Sequence, residues 1–118
     1  MASYLNSQGL YVAAAVIAGT TLEERLRELC IKNVLPIEKP DAAGDMKPIK
    51  AESMNASLVS FYADGKQDVK LVTANYGLRS QAAHGKWNSN APEKKGDRIG
   101  QVDSMISQIG HFIKTNPI

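Results

Sequence analysis

Residues 56–76 read ASLVSFYADGKQDVKLVTANY, and the interpretation of this stretch sets the fold class. Asp64-Gly65 is a dipeptide that tolerates the positive φ of a tight turn, and apolar and polar residues alternate on both sides of it, the pattern of a β-hairpin. The register follows from the pairing of side chains. A two-residue loop would set Phe61 opposite Asp68 and Val59 opposite Lys70, which puts charge on the apolar face. A three-residue loop, Ala63-Asp64-Gly65 with Gly65 left-handed, instead pairs Val59 with Val69 and gathers Val59, Phe61, Val69 and Leu71 on one side. The three-residue loop is therefore expected.

Upstream of this ribbon, Thr21 and Glu24 have the T-x-x-E spacing of a capping box. Leu22, Leu26, Leu29, Cys30 and Val34 then recur on one helical face, which predicts an amphipathic helix from about Thr21 to Leu35. Before it, Leu10 to Gly19 is apolar throughout, so periodicity leaves strand and helix open. The stretch is about half of the roughly 20 residues that a membrane-spanning helix needs, so no membrane partner is expected. The preceding MASYLNSQG has no Lys or Arg to form the positive start of a signal peptide. After Pro36, three prolines and Gly44 within residues 36–50, without apolar periodicity, predict an exposed Pro-rich connection.

Downstream, Ile99, Val102, Ile106, Ile109 and Ile113 follow one another at spacings of three, four, three and four. Met105 and Phe112 broaden the stripe into the seam of a C-terminal helix. Gly100 and Gly110 weaken that helix by about 1 kcal/mol each relative to alanine where they are interior. The resulting expectation is one α+β domain over residues 1–118: a small single-layer antiparallel sheet with a central β-hairpin, packed by the amphipathic helix and the C-terminal helix. A chain of 118 residues with 43% apolar and 22% charged residues has the size and composition of a single folded core.

Composition narrows function more than it specifies it. A formal net charge of +2 is too small to imply a polyanion partner from the whole-protein field. The charge is uneven, however: residues 1–60 hold six basic and seven acidic side chains, and residues 61–118 hold eight and five. Cys30 is the only cysteine, so an intramolecular disulfide is impossible and a reducing, cytoplasmic setting or a place in a larger assembly is expected.

Cys30 and His84 are the residues that could form a nucleophile and its base, because a nearby imidazole can generate a thiolate. Cys30, though, falls on the apolar face of a helix, where a free cysteine behaves as a small buried hydrophobe. Catalysis by this pair is the weakest of three functional readings, and no catalytic residue is assigned. His84 and His111 lack further ligands at zinc spacing, and Glu38, Asp41 and Asp45 lack the calcium-loop pattern, so no metal or cofactor is expected.

The second reading is nucleic-acid binding. Lys66, Lys70, Arg79, Lys86, Lys94, Lys95 and Arg98 outnumber Asp68, Glu93 and Asp97 by four charges. Tyr76 and Trp87 lie among them, and cations interleaved with aromatics are what neutralises phosphates and stacks bases. The alternative use of Trp87 is to cap the core. The leading reading is a non-catalytic interaction or assembly protein that joins a protein partner or a second copy through its C-terminal helix, at Met105, Ile109, Phe112 and Ile113, and through exposed loops.

Overall fold

The computed structural model describes residues 1–85, 87 and 95–118. Among these residues, five helices and one two-stranded antiparallel sheet make a small, mostly helical α+β fold. In chain order the elements are α1 (Ala2–Ser7), α2 (Tyr11–Lys32), β1 (Glu38–Pro40), β2 (Met46–Pro48), α3 (Ala51–Ser57), α4 (Lys66–Ala83) and α5 (Lys95–Thr115). Helix α2 is the hub, packed against each of the other four helices.

The apolar stretch at 10–18 and the amphipathic helix beyond it are one helix. Tyr11, Ala14, Ala15, Ala18, Leu22, Leu26, Leu29 and Cys30 are all buried, and their spacing keeps the 3.6-residue period unbroken across Gly19. The capping box does not form. Thr20 and Thr21 instead donate their hydroxyls back to the carbonyls of Val16 and Ile17, at 2.9 and 3.0 Å, which keeps both residues inside the helix. Gly19 is retained at mid-helix because the aliphatic stem of Arg79 lies where a β-carbon would go.

The C-terminal end of α2 closes with a pair of backbone bonds, Val34 N–H to Ile31 C=O and Leu35 N–H to Cys30 C=O. This is the arrangement that normally places glycine in the left-handed conformation after a helix. Here the position is Val34, at φ 57°, 91% exposed. A β-branched residue is strained there.

Residues 56–76 are not a hairpin. Ser57 ends α3, residues 58–65 turn, and α4 begins at Lys66. The expected common face is not assembled: Phe61 is 50% exposed, and Val59, Val69 and Leu71 are only partly covered. Leu58 and Tyr62 are buried instead, followed by Asp68, Val72 and Asn75 at helical spacing. Gly65 does adopt a positive φ of 51°, but it introduces a helix and not a strand. The cause is long-range. Buried Asp68 accepts the Asp64 N–H (3.0 Å) and the side-chain amide of Asn116 (3.2 Å), while Asn116 Oδ1 accepts the Ala63 N–H (2.9 Å). In this knot Asn116 ties the start of α4 to the far end of the chain, accepting from Ala63 across 53 residues and donating to Asp68 across 48.

The sheet lies instead in the Pro-rich segment, which is exposed but ordered. Glu38 pairs with Pro48, Lys39 with Lys47 and Pro40 with Met46. Its turn is built by Asp41, whose Oδ1 accepts the N–H groups of Ala43 and Asp45 (2.9 and 3.0 Å), with Gly44 at φ 85°. Every strand residue is exposed, so the ribbon carries none of the alternation by which strands are recognised. Pro40 and Pro48 have no N–H to offer, which blunts its edges.

Helix α5 packs on α2, α1 and α4. Val102, Met105, Ile109 and Phe112 are buried, and Phe112 meets Tyr62 edge-to-face at 5.3 Å. Helix α1 is tied to α5 by Asn6, which donates to the Ile99 carbonyl (3.0 Å) and to Asp103 (2.7 Å).

Two substitutions probe these backbone constraints. Alanine gains about 1 kcal/mol over glycine in an open helix, but Gly19→Ala would drive its methyl into the Cβ and Cγ of Arg79; urea unfolding is expected to show a net loss of about 1–3 kcal/mol, as overpacked cores do. Val34→Gly removes left-handed strand-former strain worth about 1–2 kcal/mol, partly offset by glycine's greater unfolded-state freedom. The same measurement is expected to show a gain of roughly 0.5–1 kcal/mol.

Candidate functional site

Three sets of residues stand out in the sequence, and in none of them do the described members share one exposed surface. Lys66 and Lys70 are exposed on the first two turns of α4. Arg79, farther along α4, turns inward: its stem packs on Gly19, and its guanidinium lies 5.6 Å from the Tyr76 ring centre. Trp87 is 4% exposed, 6.2 Å from Tyr11 between ring centres, and its Nε1–H donates to Gln81 Oε1 at 3.1 Å. Arg98 covers it, 4.8 Å from the ring centre. Two of these cations, Arg79 and Arg98, are thus paired with Tyr76 and Trp87 within the molecule, and Trp87 is a core side chain. Lys86, Lys94 and the side chain of Lys95 lie outside the described residues.

The proposed interface residues on α5 are likewise redistributed. Met105, Ile109 and Phe112 fill the core against α2, so their stripe is the docking face of α5 and not a free surface. Ile113 remains half-exposed. Cys30 is fully buried, and burial pushes its thiol up, with Arg27 pulling partly the other way. His84 is exposed at the C-terminal end of α4, and no hydrogen bond joins it to Cys30 among the described residues.

Among the described residues the fold also builds interhelical grooves that the sequence did not disclose, two of which stand out. One of about 550 Å³ runs between α3 and α4, with Ala51 and Ala56 on one wall and Val69 and Val72 on the other. Its α4 wall follows helical spacing through Thr73, Tyr76 and Ser80. Buried Asn55 lines it too, held by three bonds: Nδ2 donates to the Val69 carbonyl (3.1 Å) and Thr73 Oγ1 (3.2 Å), and Oδ1 accepts from the Tyr62 hydroxyl (2.8 Å). Tyr76 donates its hydroxyl to Glu23 at 3.4 Å. Burial raises the Tyr76 phenol pKa, Glu23 and Glu52 add to the rise, and Arg79 opposes it. Reading 69–76 as a strand hid this wall, since alternation places Val69 and Val72 on opposite sides.

The other groove, about 280 Å³, lies where α1, α2 and α5 meet. Ile17, Ile106, Gly110 and Ile113 line it, with Met1 at its edge. Ile106 and Ile113 belong to the isoleucine stripe of α5, but stand on its outer margin and are only half covered. Ile17 comes from a part of α2 whose periodicity was ambiguous in the sequence.

No described helix is long and apolar enough to cross a membrane. Among the described residues, no group of three or more His, Cys, Asp or Glu side chains comes together as a metal site. The chain matches no protein-family model, no curated protein and no solved structure in the comparisons made.

The state of Cys30 bears directly on any thiol chemistry. With its thiol buried and its pKa raised, Cys30 is expected to react with an aromatic disulfide reagent only at the rate of unfolding. Native-state labelling as fast as that of a free thiol would restore the cysteine as a nucleophile.

Proposed function

We propose that this chain is a non-catalytic assembly protein whose partner is a second copy of itself, joined through the face formed by α5, α2 and α1. One observation carries the reading: docking into its own core leaves α5 with a second apolar margin, Ile106 and Ile113, that the molecule covers only in part. Between these two residues, Gly110 is exposed, and a β-carbon placed there would meet nothing within 4 Å. A helix from outside can therefore approach the α5 backbone closely.

A second copy fits this face because the chain carries both halves of the contact. Met1, 82% exposed, projects at the edge of the groove, and Tyr4 follows one turn later on α1. A two-fold axis through the face would bring the projecting side chain of each copy toward the groove of the other, the self-complementarity of an isologous interface. A stable pair buries roughly 800 Å² per partner, so Tyr4 and the exposed turns of α1 and α5 contribute beyond the groove itself.

Sedimentation velocity over a wide concentration range tests this reading. The wild-type chain is expected to shift from monomer to dimer as concentration rises. Gly110→Arg fills open space in the monomer and replaces a helix-weakening glycine; it is expected to keep the thermal midpoint at or above the wild-type value and to remain monomeric. A wild-type chain that stays monomeric at the highest concentration would overturn the assignment.

A further inference from the structure

We infer that the groove between α3 and α4 is a binding site for a small organic cation, an ammonium group carried on a compact alkyl or aryl body. The volume of about 550 Å³ falls within the range of roughly 300–1,000 Å³ that holds small-molecule ligands. Its chemistry divides by depth. The polar groups of Asn55 and Thr73 are engaged with Tyr62, Val69 and one another, so the inner part of the groove presents mainly the methyl groups of Ala51, Val69 and Val72. An apolar body is favoured there.

The ligand's charge follows from the remaining lining. Among the described residues, Glu52 is the only charged one that lines the groove. Tyr76 and the Ser80 hydroxyl also line it, and because the Tyr76 O–H already donates to Glu23, its lone pairs are what an incoming ligand meets. A carboxylate and a phenol oxygen with its proton committed elsewhere both accept hydrogen bonds, and an ammonium has only donors to give. Glu23 stands behind the phenol with its own cation, Arg27, at 3.5 Å, and Arg79 lies over the Tyr76 ring. Lys50 and Lys70 belong to the flanking residues of the same helices but do not line the groove. Glu23 is thus balanced by Arg27, and Glu52 is left as the charge that stands on the lining itself.

Titration of the isotope-labelled full chain with benzylammonium, benzyl alcohol and benzoate, followed by amide chemical shifts, tests the inference. Benzylammonium is expected to produce saturable shifts confined to α3 and α4, with benzyl alcohol weaker and benzoate without effect. Glu52→Gln, an exposed substitution, is expected to weaken benzylammonium about fivefold, a charge-assisted bond discounted for solvent exposure, and to leave benzyl alcohol unchanged. Ala56→Leu, filling the groove from an exposed position, is expected to abolish both. Absence of saturable shifts with benzylammonium, equal affinity for the three probes, or an unchanged affinity in Glu52→Gln would each overturn it. None of these outcomes depends on whether the chain self-associates, because the groove lies on different residues from the α1, α2 and α5 face.

Discussion

The close approach of α2 and α4 at Gly19 is the constraint on which the rest of the molecule hangs. A glycine inside a helix is unfavourable by itself, by about 1 kcal/mol relative to alanine. Here it lets the stem of Arg79 lie on the α2 backbone, and Ala14, Ala15 and Ala18 keep the same stretch of α2 slim enough for neighbours on several sides. With α4 seated that closely, Tyr76 reaches Glu23 and the Arg79 guanidinium is turned over the Tyr76 ring. A bulkier residue at position 19 would separate the helices and dissolve the arrangement that shapes one wall of the larger groove.

A second, polar constraint decides where α4 begins and where α5 ends. Asp68 and Asn116 are both nearly inaccessible to solvent, and between them they satisfy the backbone of Ala63 and Asp64. Arg25 of α2 and Lys32 add bonds to the carbonyls of Asn116 and Pro117, at 3.4 and 3.0 Å. Buried polar groups stabilise only when their partners are in place. The knot therefore favours one conformation of the 58–65 turn over alternatives that would leave Asp68 desolvated and unpaired. It also explains why a segment with good strand propensity is drawn into a helix.

Together these constraints give the molecule two differently furnished surfaces around one hub helix. On the α5 side, partly buried isoleucines flank an exposed glycine, which suits association between helices. On the α4 side small apolar walls lead to a carboxylate and a phenol, which suit a ligand with a charged end. The exposed ribbon of β1 and β2 stands apart from both, with its prolines discouraging strand addition. Trp87 is packed beneath Arg98, and Tyr76 is bonded to Glu23.

Helical periodicity was legible wherever a helix buries one continuous stripe. Leu22, Leu26 and Leu29 of α2 and Val102, Met105, Ile109 and Phe112 of α5 are in the core as their spacing requires, because a 3.6-residue repeat of large apolar groups has few other uses. The burial of Cys30 was legible for the same reason. The α+β class was legible too, although the strands were expected at 56–76 and occur at 38–48. Valines and leucines at 69, 71 and 72 fit a two-residue and a 3.6-residue repeat almost equally well, and the choice was made by Asn116, far along the chain. The ribbon was hidden because its residues face water on both sides, so hydrogen bonds alone define it. Neither groove could be read from the linear chain, since each is the space left between helices whose separation depends on Gly19, on Arg79 and on the small residues of α2. Local sequence determined which stripes are buried; only the tertiary structure decided which surfaces remain, because a surface is what packing leaves uncovered.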